Sequence, residues 1–166
     1  MRDLVMASLV LLLLLPASAL AEPLAVKAVM SPKEQIRVDL PTAQKHFVLF
    51  VRREGKATGV GMLDGAQLTE YGMHDIRPGI DGSPRGYLVA RLPGGDQAVI
   101  QWEVQATFIP GPDGKPRLLD NGVWRLIGGT GTAESAKGAG ILHIRAASQT
   151  DREFSLEGEV VSSARK

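Results

Sequence analysis

Period-two alternation of apolar and polar residues dominates this chain. It is clearest over residues 98–108, where Ala98, Ile100, Trp102, Val104, Ala106 and Phe108 share one parity and Gln101, Glu103, Gln105 and Thr107 take the other. That period places the two sets on opposite faces of one strand. Residues 35–40 alternate in the same way, Ile36, Val38 and Leu40 against Arg37 and Asp39, until Pro41 ends the pattern. Residues 46–53 hold a continuous apolar run from Phe47 to Val51, a pattern suited to burial on both faces. Further strands are predicted over 66–76, 85–92, 117–127, 140–147 and 153–161. Turn chemistry separates them: the 77–84 loop, Pro93-Gly94-Gly95-Asp96, Pro110-Gly111-Pro112-Asp113-Gly114 and Ser148-Gln149-Thr150-Asp151. No segment carries a capped apolar stripe at helical spacing. Short strands with short connections leave two architectures, a sandwich or a closed barrel, and periodicity does not choose between them.

The first residues follow a different pattern. Arg2, weakened by Asp3, precedes an apolar run over residues 4–15; Pro16 breaks it, and Ala19-Leu20-Ala21 fits a small-x-small cleavage site. The run is shorter than the roughly 20 residues of a membrane span. The pattern predicts a cleaved signal peptide over 1–21, a loosely ordered lead-in over 22–34 and a β-domain over 35–166, with no membrane span in the mature chain. A periplasmic or secreted location follows. No cysteine is present to carry lipid or form a disulfide, so packing alone must hold the domain.

Composition narrows the function classes. The chain has 166 residues, 44% hydrophobic and 22% charged, within the globular range. A net charge of +1 without basic runs argues against a nucleic-acid partner, since phosphate binding needs concentrated Lys and Arg. The 19 glycines and 10 prolines suit a turn-rich, all-β chain.

The most distinctive stretch is Ile127-Gly128-Gly129-Thr130-Gly131, continued by Ala136-Lys137-Gly138-Ala139-Gly140. A phosphate loop would need Gly-Lys-Ser/Thr opening a helix, and a dinucleotide fingerprint would need a surrounding βαβ unit; a strand follows instead. The residues read as a tight crossover between neighbouring strands, with positive φ at one or more glycines. Here the chain resembles the allene oxide cyclase/dirigent-like barrel superfamily. That family carries Gly-Gly-Thr-Gly at a strand end and Ala-x-Gly-x-Gly at the next strand's start. Gly128, Gly129, Thr130, Gly131, Gly138 and Gly140 stand at the matching positions, and the likeness spans roughly residues 59–161. The resemblance implies a single antiparallel eight-stranded β-barrel with a mostly apolar lumen, often assembled in the family as a homotrimer. The plant cyclases' cysteine has no counterpart here, so no catalytic set carries over.

Candidate chemistry is sparse. His46, His74 and His143 fall on separate elements, and His74 and Asp75 point to opposite faces of one strand, so no metal site is predicted and no cofactor is implied. Asp81-Gly82-Ser83-Pro84 is not a nucleophile elbow. The apolar parity of the 98–108 strand belongs to the lumen or to a subunit interface, which leaves Glu103 solvated. Ile100, Trp102, Val104, Phe108 and Trp124 are the expected walls of a cavity, with Tyr87 and Arg91 as its polar end. An eight-stranded barrel has room for one small ligand. The expected function is an exported barrel binding a small apolar molecule in its lumen. Two alternatives stay open. One is an isomerase or cyclase of the allene oxide cyclase-like type, with Glu103, His74 or Arg91 as polar participant. The other is a trimeric structural or interaction barrel with a packed lumen.

Overall fold

A computed structural model describes residues 21–162. Ten strands make up nearly all of it: β1 (Ala21–Asp39), β2 (Phe47–Lys56), β3 (Thr58–Val60), β4 (Gln67–Arg77), β5 (Asp81–Gly82), β6 (Arg85–Arg91), β7 (Gln97–Pro110), β8 (Pro116–Gly129), β9 (Lys137–Ala146) and β10 (Arg152–Val161). One 3-10 turn, Gly131–Ala133, is the single helical element among the described residues. The sheet runs β1-β2-β4-β6-β7-β8-β9-β10 through antiparallel ladders, and β10 pairs back onto β1. Eight strands therefore close into one ring, and the barrel choice between the two sequence-level architectures is made. Closure leaves most backbone donors and acceptors paired.

The lead-in expected over 22–34 is instead part of β1. Leu24, Val26, Ala28 and Met30 alternate inward and are buried, while β10 pairs with β1 from Ala21 to Met30. Pro23 and Ser31-Pro32-Lys33 obscured this strand. Pro32 lies where the β1–β2 register shifts, a bulge in which a missing ladder donor does no harm. Residues 1–20, which hold most of the expected signal peptide, lie outside the described residues.

One row of inward positions circles the waist. Register runs Val51, Gly72, Gly86, Trp102, Trp124, Gly140, Gly158 and Leu24 across successive strands. The two indoles are direct cross-strand neighbours, and glycines flank them on both sides. The space a Cβ would take at Gly86 lies 3.1 Å from Trp102, and that at Gly158 lies 2.9 Å from Trp124. A pair of glycines thus stands on each side of the tryptophan pair, and the indoles fill the waist. Trp124 Nε1 donates to the Glu157 carbonyl at 3.1 Å, and Trp102 meets Phe154 edge-on at 5.9 Å. Each buried indole removes on the order of 200 Å² from water.

Below the waist the lumen is apolar and shut. Leu63, Ala66, Ala133 and Ala136 are fully buried there, on the β2–β4 and β8–β9 connections. The glycine motif belongs to this lid. Gln97 N–H donates to Thr130 Oγ1 at 2.9 Å, and Thr132 donates from both N and Oγ1 to Asp96 Oδ2. Gly131 has φ +54°, and a Cβ there would lie 2.0 Å from the Asp96 carboxylate. This clasp between two turns accounts for the glycine at 131.

Above the waist the wall is uneven. β7 and β8 have 14 residues each and β1 has 19, but β9 and β10 have only 10. Pairing of β10 to β1 stops at Met30, and pairing of β9 to β8 begins at Asp120. Upper β1 stays paired to β2 and upper β8 to β7, and their other edges flank a notch over the β9–β10 turn.

Candidate functional site

The notch opens onto the upper lumen. Phe47 and Leu49 on β2, Phe108 on β7 and Leu118 on β8 share the inward parity and are half-buried, and Ile76 on β4 is buried among them. They form an apolar mouth. Its floor is charged. Arg53, Glu70, His74 and Asp120 all point inward with 0–8% exposure, and Arg152, the first residue of β10, faces them.

These groups are only partly satisfied. Arg53 Nη1 donates to Glu70 Oε2 at 2.8 Å, and His74 Nε2 lies 3.0 Å from Glu70 Oε1 and 3.3 Å from Arg53 Nη1. The nearby carboxylate favours the tautomer in which His74 donates from Nε2. Gly72 makes this pairing sterically feasible. A Cβ at Gly72 would lie 2.4 Å from Glu70 Oε1 and 2.8 Å from His74 Nε2, so the two side chains fold over it. Three buried atoms have no partner among the described residues: Arg53 Nε, Trp102 Nε1 and Asp120 Oδ1. Each such group costs about 1–3 kcal/mol unless something binds it. Burial pushes the Asp120 carboxyl up to about 6, against the opposing pull of His74, Arg152 and Arg53. Burial also pushes the Arg152 guanidinium below its ordinary value, with Arg53 adding repulsion.

Similarity in three dimensions agrees with this architecture. A protein of unknown function from Clostridium acetobutylicum superposes with TM-score 0.57 at 8% identity, over 89% of this chain and 99% of its own. A pterocarpan synthase dirigent protein superposes with TM-score 0.52 at 12% identity, over 98% of both chains. The fold is the dirigent-like barrel. At such identities the likeness concerns the fold alone. The sequence itself matches no protein-family profile and no curated protein.

In this dirigent-like barrel the expected wall residues separate into two groups. Ile100, Trp102, Val104 and Trp124 face the lumen and are buried, and Phe108 joins the mouth. Tyr87 and Arg91 do not form a polar end to the lumen. They lie on the outer face of β6, because they carry the parity opposite to Leu88 and Ala90. Tyr87 instead joins an outer groove of about 1070 Å³ that includes Ile36, Phe50, Tyr71, Arg85, Glu103 and Val123 in its walls. Glu103 is exposed, as its parity required. The histidines are dispersed: His46 pairs with Asp75 at 2.5 Å, His74 with Glu70, and His143 with Asn121 at 2.6 Å. No cluster of three or more metal-ligating side chains occurs among the described residues. No described helix is long and apolar enough to cross a membrane.

Sequence reasoning missed Arg53, Glu70, Asp120 and Arg152. The available signal was parity. Leu68, Glu70, Gly72, His74 and Ile76 alternate with solvent-facing residues, which puts one carboxylate in an apolar series. Asp120 likewise keeps step with Trp124 and Leu126.

Proposed function

We propose that the protein is an exported binding barrel that takes a small apolar molecule, bearing one polar oxygen function, into the upper mouth. One observation carries this reading: the apolar mouth ends on a floor holding unpartnered buried polar atoms from Arg53, Trp102 and Asp120. An apolar body would bury surface against Phe47, Leu49, Phe108 and Leu118, at roughly 25 cal/mol per Å². Its oxygen would satisfy groups that otherwise stay unpaired. The site lies above the tryptophan waist rather than along the whole lumen. Titration with cyclohexanone, followed by tryptophan fluorescence, tests this. Leu118→Lys should abolish the response and Glu103→Gln should leave it unchanged; an unchanged response in Leu118→Lys would overturn the assignment.

The outer groove favours a second reading, a barrel whose outer face is covered by another subunit. Ile36 is 67% exposed, Tyr71 52% and Phe50 47%, and all three line the same groove, an apolar display of the kind that marks interaction surfaces. Light scattering of the purified protein decides it: a trimer supports the reading and a monomer at high concentration removes it.

A further inference from the structure

We propose that the floor of the mouth is an enolising site and that its substrate is a carbonyl compound with an acidic C–H beside the carbonyl. This rests on the mouth as the binding site and adds a reaction to it. Trp102 Nε1–H and Arg53 Nε–H are two donors with no acceptor, both in residues at most 5% exposed. They belong to side chains that meet around His74. The Trp102 and His74 rings lie 5.8 Å apart, and Arg53 Nη1 is 3.3 Å from His74 Nε2. Two unpartnered donors on side chains that both border His74 would serve a single oxygen that gains negative charge, since fixed donors in a dry site need no reorganisation as charge develops. Asp120 supplies the complementary group, a carboxyl whose Oδ1 accepts nothing and faces the same cluster.

The step balances without a cofactor. The Asp120 carboxylate removes the proton from the carbon beside the carbonyl. The C–H electron pair forms the C=C bond, and the carbonyl π pair moves to oxygen, where Trp102 and Arg53 donate to it. The Asp120 carboxylic acid then returns the proton to the same carbon, or to the far carbon of a conjugated enolate, which moves the double bond. Arg53 is held for this role by Glu70, which takes its Nη1 hydrogen bond and leaves Nε free. Glu70 and His74 are positioning residues.

The experiment uses cyclohexanone in D₂O, with loss of its α-proton signals followed by ¹H NMR, while saturation-transfer NMR reports binding of cyclohexanone and of methylcyclohexane. Wild-type protein should speed exchange over buffer by about 10²-fold or more. Asp120→Asn should return exchange to the buffer rate while still binding cyclohexanone, and Trp102→Phe should slow it at least about tenfold. Should a variant fail to fold, the wild-type pH profile still decides, because the rate must climb as Asp120 ionises and level off above. If cyclohexanone binds but exchanges no faster than in buffer, or if Asp120→Asn exchanges like wild type, the enolising proposal is wrong and the binding reading stands. If neither probe binds, both fall.

Discussion

Gly131 and Gly94 differ in what a methyl group would meet. At Gly131 the backbone is left-handed and the Asp96 carboxylate occupies the Cβ position; at Gly94 nothing lies within 4 Å and φ is ordinary. Gly131→Ala should therefore lose more than about 1 kcal/mol, while Gly94→Ala stays within roughly 0.5 kcal/mol of wild type in urea melts. Asp120 gives a second residue-level prediction. Its carboxyl titrates near 6 in the fold, above its ordinary 3.8, so protonation favours the folded state. The stabilisation from that proton is complete below about pH 4 and is lost as pH rises through about 6. Asp120→Asn should thus be more stable than wild type at pH 8, by at most about 3 kcal/mol, with the advantage gone below pH 4. Denaturant midpoints across that range read it directly. Neither the floor nor its energetics was evident from residue types, because a Glu or Asp in a β-strand is ordinarily solvated. Only its step with Leu68 and Ile76, or with Trp124 and Leu126, marks it as inward.

The waist row is the element-scale counterpart. Gly140 and Gly158 face each other across β9 and β10, and a Cβ at Gly158 would lie 2.2 Å from the Ala139 carbonyl oxygen and 2.7 Å from Gly140 Cα. Backbone cannot give way as a side chain can. Gly158→Ala should lower the melting temperature more than Gly94→Ala does, and Trp124→Phe in the same background should recover little of the loss, since the clash is with backbone. Scanning calorimetry of the three variants checks the order; full recovery by Trp124→Phe would place the crowding on the indole instead. Strands β4 and β6 to β10 were legible from alternation and turn residues to within a few positions. Of β1 only the end over 35–39 was legible; its first part was not, because two prolines and a bulge interrupt the pattern and only pairing with β10 reveals it as a wall of the ring.

At the scale of the molecule, short antiparallel strands with turns of few residues left a sandwich and a barrel open; only the resemblance carried by the glycine motif pointed to the barrel, and the β10–β1 pairing closes it. The mouth was not legible, because it depends on β9 and β10 being shorter than β1 and β8, and on which charges then gather beneath the gap. Tyr87 and Arg91 show the limit. Their shared parity was plain, but which face that parity met was set only by the ring. Two recesses now compete for a ligand, the upper mouth and the outer groove, and Trp102 borders both. Chemical-shift mapping with cyclohexanone on ¹⁵N-labelled protein separates them most directly. The largest changes should fall on the Trp102 indole N–H and on the amides of His74, Phe108, Leu118 and Asp120. Changes confined to Tyr71, Arg85, Tyr87 and Val123 would contradict the mouth as the binding site.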